Sequence, residues 1–583
     1  MLNIRYIIAL LIGANILVIF SSSHYFMTRN QSERMAIGTE VPHSPTDIKD
    51  LIFDDPERAY HALNLLDVFE PIPDSFNPIT NYEKKNTFYG LINDNEYCQK
   101  HRALVAEDPQ FLFEDKNFLT TYGPKTLSRE LVIRKVGRDI QPEVGDHMTR
   151  VKKETPTYEI RPDITNYWIL EGMFRNKQIG QSFACLSQAY NEIPGRSAIN
   201  RKDNVAKNVV RYAQDYESRP QCFNFTKFFP ETWVLTNETQ CRAFFNKFNS
   251  PEYQAEKAQK TIVYIRKVGS GSHQAAGVQP VNDKEEAELR KHYKNGALCG
   301  QVELNYIIQT YVYNPLLLNG HKFDFRVYMV IASTNPLIGY YHDGFLRVSL
   351  HPYDVNSDDK SVLLTNTALS TKIFDIARKE GHYQGLNETE LRNFQMWNFQ
   401  RLQDYLLEKG KITDKNWLDN YLRPEFMKAM IHLLKMSSGS FLKRSQIYEL
   451  YGTDFMLDDN LNLWFIECNS GPVLSGSSEE KEKFVTKMLA DHFEIVSSLM
   501  KSRMKRVINY INQLIRKDEI VEGSDGKYHI FDLEERQAEF QEIIKNKFEP
   551  EFEPSSGNGF YKIVDENYNT LERYSNLIPQ ECF

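Results

Sequence analysis

One stretch constrains the fold more than any other part of the chain: residues Ile447 to Pro472, IYELYGTDFMLDDNLNLWFIECNSGP. Two apolar runs, Thr453–Leu457 and Leu461–Cys468, flank a short cluster of Asp and Asn residues. Such a cluster between runs of β-type residues is typical of a β-hairpin. We expect a two-residue turn at Asp459-Asn460 to close this hairpin.

The predicted hairpin gathers oxygen-bearing side chains on one face. With this turn, Asp454 is expected to lie opposite Phe465. Because side chains alternate along a strand, Asp454, Glu467 and Asn469 then share a face. Their hard oxygen atoms suit Mg²⁺ that is held together with substrate phosphates. The alternative is a hairpin with one solvated face, but Leu463 and Phe465 on the acidic face argue against it, because a face exposed only to water does not need them.

A second informative segment is the strand predicted at Lys322 to Ile331, KFDFRVYMVI. Strict alternation places Lys322, Asp324 and Arg326 on one face, and the apolar Val330 follows on that same face. The residues of the other face are all apolar: Phe323, Phe325, Val327 and Met329. We therefore expect a polar pocket beside a core, and an exposed edge strand is the alternative.

The run Thr261 to Lys267, TIVYIRK, is predicted to form a strand because it is β-branched and alternating. It leads directly into a Gly/Ser-rich loop that begins at Val268. A strand that ends in Lys and continues into a small, flexible loop can bring backbone amides and an ammonium group to phosphate oxygens. The spacing is not that of a P-loop, since no GKS or GKT follows.

Composition excludes some classes of protein. A chain of 583 residues with 41% hydrophobic content is expected to build several domains, or one large domain with extensions. The formal charge of -8 gives no indication of nucleic-acid binding. Seven cysteines at irregular spacing, without a CxxC pair, indicate neither a zinc site nor a disulfide scaffold.

The N-terminal run Tyr6 to Phe20 is apolar and uncharged. It is predicted to be a signal anchor, with a cleavable signal and a buried helix as alternatives. We therefore expect a single-pass, membrane-anchored location, and the flanking charges leave the topology open. The sequons at Asn224, Asn237 and Asn387 would be usable only in the secretory lumen.

Two groups of basic residues are expected at helix surfaces. Lys202 begins a predicted helix, where a solvated position is the simplest interpretation, and it is also a candidate contact for an acidic acceptor. Lys501, Arg503, Lys505 and Arg506 form a cluster on a predicted helix. We expect this cluster to be a solvated face, with an acidic partner as the alternative.

Taken together and in order, these segments resemble the tubulin-tyrosine ligase-like family. The resemblance covers roughly residues 157–500, and two blocks carry most of it: QTYVYNPLLLNGHKFDFRVYMVIASTNPLIGYYHDGFLRVS and YELYGTDFMLDDNLNLWFIECNSGP. It implies an α/β (α+β) chain with the ATP-grasp fold, mainly antiparallel sheets and flanking helices. The expected domains are an N-terminal signal anchor or signal peptide at 1–29, an accessory region at 30–156, the catalytic domain at 157–500 and a helical, acidic extension at 501–583.

The resemblance also implies roles for individual residues. Lys267 and Lys322 would contact nucleotide phosphates. Arg326 and Arg347 would stabilise an activated carboxyl group. The adenine base would lie at Gln309, Thr310, Tyr311 and Val312. The implied Mg²⁺ ligands are Asp454, Glu467 and Asn469. Asp324 and Asn366 would place the incoming amino acid, and Asp324 is expected near the nucleotide as well.

The reaction implied by the resemblance is ATP-dependent. Family members activate a carboxylate, as an acyl phosphate, and an amino-acid amine then displaces phosphate. ATP and Mg²⁺ are thus the expected cofactors, and glutamate, glycine or tyrosine would be joined to a protein carboxylate, with tubulin tails as the expected acceptor. Polyglutamylation of microtubules at the cytoskeleton or in a cilium is one such activity, and a ligase for another small carboxylate is an alternative.

Several positions depart from the family pattern. Tyr264 and Val268 stand where Trp and Pro are usual, Thr310 replaces a basic residue, and Leu363 replaces a residue that is often His. These departures motivate a second hypothesis, a catalytically reduced, membrane-tethered protein that uses a degenerate fold to bind microtubules. The metal trio and both lysines are retained, which favours an active enzyme.

Overall fold

The structure is a computed structural model of the 583-residue chain. It describes residues 55–66, 121–122, 131–136, 167–171, 186, 188–190, 193–222, 225–269, 277–365, 394–472, 474, 479–568, 577–579 and 582.

The strands within these residues are β1 (Thr121–Tyr122), β2 (Leu131–Val136), β3 (Tyr167–Glu171), β4 (Gln188–Tyr190), β5 (Thr232–Val234), β6 (Tyr264–Val268), β7 (Val278–Pro280), β8 (Tyr306–Thr310), β9 (Leu317–Leu318), β10 (His321–Thr334), β11 (Leu337–Pro352), β12 (Met396–Trp397), β13 (Glu449–Leu457), β14 (Leu463–Ser470), β15 (Ile520–Glu522), β16 (Tyr528–Ile530) and β17 (Tyr561–Asp565).

The α-helices are α1 (Pro56–Leu66), α2 (Ser197–Asn200), α3 (Lys202–Asp215), α4 (Glu238–Phe248), α5 (Pro251–Lys257), α6 (Asp283–Tyr293), α7 (Lys360–Leu363), α8 (Phe399–Glu408), α9 (Arg423–Ser437), α10 (Glu479–Arg516) and α11 (Gln537–Ile544). Short 3₁₀ turns span Pro220–Cys222, Phe225–Lys227, Lys294–Gly296, Ser438–Ser440 and Pro550–Phe552, and a π-helical turn spans Leu418–Leu422.

A seven-stranded antiparallel sheet forms the centre of the fold. Its main path runs β12-β11-β10-β13-β14, with β17 paired to β11 and β9 paired to β10. The long hairpin β10–β11 and the hairpin β13–β14 supply most of the pairs. The fold is therefore mixed α/β with mainly antiparallel sheets, as the sequence predicts.

The two faces of this sheet pack against different layers. Phe323, Phe325, Val327 and Met329 lie in one hydrophobic cluster together with residues of α9. Tyr328 and Val330, on the opposite face of β10, lie in a second cluster with residues of α10. The alternation predicted for β10 is thus confirmed, and the strand is central in the sheet rather than an exposed edge.

A smaller antiparallel sheet, β5-β8-β6-β7, lies beside the central one. Its core contains aromatic side chains of α4, such as Phe244 and Phe248, packed on Trp233 and Tyr264 of the sheet. Helix α6 follows β7 and has favourable ends: Asn282 caps its N-terminus by accepting a hydrogen bond from the backbone of Glu285. Acidic residues in its first turn and basic residues in its last turn complement the helix dipole.

The described N-terminal and C-terminal parts contact the same helix. In the second cluster, Ala59, Ala62 and Leu63 of α1 are almost fully buried against α10 and the hairpin β15–β16. The strands β1 to β4 form a separate sheet, in which β2, β3 and β4 are parallel. Strand β17 then returns to the central sheet. The boundaries at residues 29, 156 and 500 stay predictions, although α10 continues without a break past Met500.

Three of the four members of the basic cluster on α10 have neither of the predicted roles. Arg503 is buried and donates to the backbone carbonyls of Leu186 and Ser445. Lys505 is paired with Glu551. Arg506 donates to carbonyls of the segment that follows α11 and pairs with Glu549. These cations hold the C-terminal segment in place, because its exposed carbonyls and carboxylates complement them.

Two disulfides lie within the described residues, which corrects the interpretation of the cysteines. Cys222 pairs with Cys582 across 360 residues of sequence, and Cys241 pairs with Cys299 across 58 residues. Cys468 is a buried free thiol. Spacing failed to predict the pairs because each joins two elements that meet only in the folded chain.

The predicted single-pass membrane location is not supported by the described helices. None of the helices in the described part of the chain is both long enough and apolar enough to cross a bilayer. The run Tyr6 to Phe20, from which the prediction came, lies outside the described residues. The sequon asparagines Asn224 and Asn387 lie outside them as well, whereas Asn237 is the exposed N-cap of α4.

Candidate active site

The hairpin β13–β14 sets two carboxylates side by side. Asp454 lies directly opposite Glu467, and Gly452 lies opposite Asn469. Residues that are directly opposite in an antiparallel ladder project from the same face. The structure thus brings the predicted trio Asp454, Glu467 and Asn469 together on one face.

The pairing differs from the expected one in two places. The connection is one residue longer than predicted: Asp458 pairs with Asn462, and Leu461 adopts a left-handed φ of 65°. The register then shifts again between Asp454 and Phe455, which leaves Ile466 as an extra residue in β14. The prediction that Asp454 faces Phe465 is therefore wrong.

The bulge changes which residues accompany the acidic side chains. Phe465 lies opposite Phe455, and Leu463 lies opposite Leu457. All four belong to the hydrophobic cluster on the α9 side of the sheet. The argument that Leu463 and Phe465 share the acidic face is corrected accordingly, since the extra residue resets the alternation.

Two arginines hold Asp454 and a neighbouring carboxylate. Arg326 lies opposite Asp454 in the sheet and binds it through two bonds, Nε to Oδ1 at 2.5 Å and Nη2 to Oδ2 at 2.9 Å. Arg347 lies opposite Asp324 and binds it at 2.6 and 2.9 Å, while its Nη2 also lies 2.9 Å from Asp454. The hydroxyl of Thr365 donates to Asp324.

Burial and ion pairing shift the pKa values of Asp324, Arg326 and Arg347. Burial raises the pKa of Asp324 and Asp454 adds to the effect, against the opposing influence of Arg347. Burial disfavours the charged form of both arginines, but the neighbouring carboxylates outweigh it and raise the pKa of Arg326 and Arg347. The cluster is thus a buried network of two cations and two carboxylates.

Lys202, at the start of α3, holds the second carboxylate of the hairpin. Its Nζ lies 2.7 Å from Oε2 of Glu467, and Asn469 donates to Oε1 of Glu467 at 3.0 Å. Burial alone would raise the pKa of Glu467, but Lys202 lowers it to about 2. This role was not predicted from the sequence, because a solvated position was expected for Lys202. The one signal in the sequence was its place in the segment NRKD, residues 200–203, which also resembles the tubulin-tyrosine ligase-like family.

Lys267 and Lys322 are both buried. Lys267 Nζ donates to Oε1 of Gln309 at 2.6 Å, and Lys322 Nζ donates to the Tyr311 hydroxyl and the Leu363 carbonyl, each at 2.9 Å. Burial lowers the pKa of Lys267 to about 8, with Lys202 contributing. Burial likewise lowers the pKa of Lys322 to about 7, with Lys267 contributing and Asp324 opposing.

The two sheets therefore contribute to one electrostatic neighbourhood. Lys267 comes from the smaller sheet and Lys322 from the central one, yet they lie close enough for their charges to interact. Lys202, Lys267, Gln309 and Glu467 line a narrow cleft that is partly open to solvent. A polyanion bound here would relieve the cost of burying several cations.

The four residues predicted for the base site lie at the end of β8 or directly after it. Gln309 and Thr310 end β8, and Tyr311 and Val312 follow it. Tyr311 is buried, and its backbone nitrogen donates to the Val263 carbonyl. Asn366 and the loop residues 270–276 lie outside the described residues.

The oxygen atoms of the hairpin fit a hard divalent cation in type. Asp454, Glu467 and Asn469 offer carboxylate and amide oxygens from one face, which is the donor set that Mg²⁺ prefers. Among the residues that the structure describes, no three His, Cys, Asp or Glu side chains form a metal-binding group. The predicted trio is not such a group, because its third member, Asn469, has an amide side chain.

Comparison with known proteins identifies relatives of this chain. The profile of the Tubulin-tyrosine ligase family matches residues 181–506. The chain is 27% identical over 333 residues to protein polyglycylase TTLL10 of Macaca fascicularis, covering 54% of this chain and 50% of the relative. It is 26% identical over 302 residues to inactive polyglycylase TTLL10 of Homo sapiens, covering 49% and 41%. It is 24% identical over 416 residues to tubulin polyglutamylase TTLL5 of Mus musculus, covering 71% and 28%.

The matches cover half or less of the length of these curated relatives. The family profile, by contrast, extends over more than half of this chain, and it spans β4 to β14 with every described residue of the candidate site. This chain belongs to the tubulin-tyrosine ligase family.

Proposed function

We propose that this protein is an ATP-dependent carboxylate-amine ligase of the ATP-grasp type, which joins an amino acid to a protein carboxylate. One observation carries the proposal: Asp454, which is paired with Arg326, lies opposite Glu467, and Glu467 lines a cleft together with Lys202 and the buried Lys267. Buried cations facing paired carboxylates suit a polyphosphate together with a divalent metal.

The nucleotide phosphates would be held by Lys267 and Lys322. Both ammonium groups are buried and have lowered pKa values, a cost that phosphate oxygens offset by pairing with them. The base would lie near the end of β8, at Gln309, Thr310, Tyr311 and Val312. Lys202 is a further cation at the same cleft.

Asp454, Glu467 and Asn469 would hold Mg²⁺. At these residues a bound Mg²⁺ would supply positive charge to neutralise and orient phosphate oxygens. The bidentate contact between Arg326 and Asp454 fixes the orientation of that carboxylate. Asn469 is a suitable third ligand through its amide oxygen.

The reaction would proceed in two displacements. An oxygen of the acceptor carboxylate attacks the γ-phosphorus of ATP and ADP leaves, which yields an acyl phosphate. The amine of the incoming amino acid then attacks the acyl carbon, the bond to phosphate breaks, and the amine loses a proton to solvent or to the departing phosphate. Arg326 and Arg347 would stabilise the oxygen atoms of the activated group. Asp324 and Asn366 would place the amino acid.

Tubulin is the acceptor that the relatives favour. The names of the relatives describe a polyglycylase and a tubulin polyglutamylase, so glycine and glutamate are the first amino acids to test. We place the catalytic domain at residues 157–500, with accessory regions on either side of it.

Purified protein of the full chain, incubated with ATP, Mg²⁺, tubulin and one labelled amino acid at a time, tests the proposal. We expect label in tubulin with glycine or glutamate, and none when ATP or Mg²⁺ is omitted. Label that appears without ATP would contradict the mechanism. ATP binding without incorporation of any amino acid into tubulin would favour a reduced, microtubule-binding protein.

A further inference from the structure

A chain of three hydrogen bonds ends at the buried Lys267. Lys267 Nζ donates to Oε1 of Gln309 at 2.6 Å. Gln309 Nε2 donates to Oγ1 of Thr232 at 2.8 Å, and Thr232 Oγ1 donates to the Pro230 carbonyl at 2.7 Å. Thr232 and Gln309 are directly opposite each other in the β5–β8 ladder, so the sheet itself fixes their proximity.

The chemistry of the groups fixes the direction of this chain. A hydroxyl has a single proton, and that of Thr232 is committed to the carbonyl of Pro230. Thr232 can therefore only accept a hydrogen bond from Gln309, which requires the amide nitrogen of Gln309 to point toward it. The amide oxygen of Gln309 must then point the other way, toward the ammonium of Lys267.

Loss of the Thr232 hydroxyl would remove this constraint. The amide of Gln309 could then invert and present its NH₂ group to Lys267, where two donors would face each other without an acceptor. A buried ammonium without an acceptor is unfavourable, so Lys267 would leave its position. Gln309 and Lys267 both line the cleft, whereas Thr232 acts from behind them.

We propose that Thr232 is a positioning residue that orients the Lys267 ammonium toward nucleotide phosphates by fixing the amide of Gln309. This inference rests on the proposed function, because it assumes that the cleft binds ATP. It also gives the Gln309 side chain a role different from the base contact that the family resemblance implies.

The test uses the full chain and measures the dissociation constant for ATP with Mg²⁺ by calorimetry, alongside steady-state kinetics. Thr232→Val keeps the shape of the side chain and removes the hydroxyl. We expect it to weaken ATP binding about five-fold, as the loss of one net hydrogen bond implies. The KM for ATP should rise in parallel, while the KM for the amino acid stays unchanged, which a general structural defect would not produce.

Three comparisons sharpen the result. Thr232→Ser restores the hydroxyl and should bind ATP as the wild type does. Thr236→Val makes the same chemical change at an exposed position just beyond β5 and should have no effect. In a Gln309→Leu background, Thr232→Val should weaken ATP binding no further, because the group that it orients is gone.

The outcomes separate the inference from the proposed function. Wild-type affinity in Thr232→Val, or a full additional loss in the Gln309→Leu background, overturns the inference while the ligase proposal stands. A wild-type protein that fails to bind ATP overturns both. If Thr232→Val does not fold, Thr232→Ala takes its place with the same expected loss and the same contradicting result.

Discussion

Asp454 and Glu467 lie opposite each other on β13 and β14, and each is held by cations from a different part of the fold. Arg326 and Arg347 of the central sheet hold Asp454, while Lys202 of α3 holds Glu467. Each cation pairs with a carboxylate that the proposed reaction needs, and the same pairing stabilises the folded site. Substitutions at these positions should therefore change the free energy of unfolding as well as the activity.

Replacing Arg347 should strongly destabilise the protein. Arg347 bridges Asp324 and Asp454, so Arg347→Met would leave two buried carboxylates facing each other. Breaking a buried ion pair by removing one partner typically costs about 3–5 kcal/mol. Urea unfolding at neutral pH measures this loss. Lys409→Met, which changes an exposed cation on the surface, is the matched control, and an equal effect of the two substitutions would contradict the network.

Replacing Lys202 should change stability in a pH-dependent way. The pKa of Glu467 is about 2 in the folded protein and 4.5 in the unfolded chain, so its ionised form stabilises the fold above about pH 4.5, and that stabilisation is lost as the pH falls toward 2. Lys202→Met should lower the free energy of unfolding at pH 6, and by less at pH 3. Lys202→Arg should retain most of the stabilisation. A deficit in Lys202→Met that is the same at both pH values would exclude the pair as its cause.

Lys322 should lower the stability of the fold at neutral pH. Its pKa is about 7 when folded and 10.5 when unfolded, so between these values the unfolded chain binds more protons and stability rises with pH. Lys322→Met lacks this dependence. The free energy of unfolding of Lys322→Met should exceed that of the wild type most below pH 7, and the difference should shrink toward pH 10. Unfolding curves measured across this range test the prediction, and parallel curves for the two proteins would refute it.

The disulfides should be detectable directly. Peptide mapping under non-reducing conditions is expected to recover Cys222 linked to Cys582 and Cys241 linked to Cys299. Cys582→Ser should lower the thermal midpoint, since a cross-link that closes a long loop restricts the unfolded chain. A midpoint equal to that of the wild type, measured without reductant, would argue against the link.

Local patterns in the sequence predicted several parts of the central sheet. The alternation in β10 predicted which face carries Lys322, Asp324 and Arg326, because every second residue of the strand is apolar and must be buried. The strand predicted at Thr261 to Lys267 overlaps β6, which ends one residue later, at Val268. These elements were predictable because their signals are local and periodic.

The register of the key hairpin was not predictable in the same way. The left-handed residue in the turn is Leu461, a residue type that gives no signal for positive φ, and the bulge at Ile466 depends on packing in the fold. Lys202 and the α10 cations were misjudged for a related reason. Their partners, Glu467 and the C-terminal segment, are distant in sequence, so a polar position looked solvated.

The most direct test of the ligase account compares two glutamate substitutions in the tubulin assay. Glu467→Gln removes one charge from the carboxylate pair while keeping its shape, and Glu408→Gln makes the same change at an exposed position of α8. The account predicts that ATP-dependent incorporation of labelled glycine or glutamate is lost in Glu467→Gln and unchanged in Glu408→Gln. Incorporation by Glu467→Gln at the wild-type rate would contradict it.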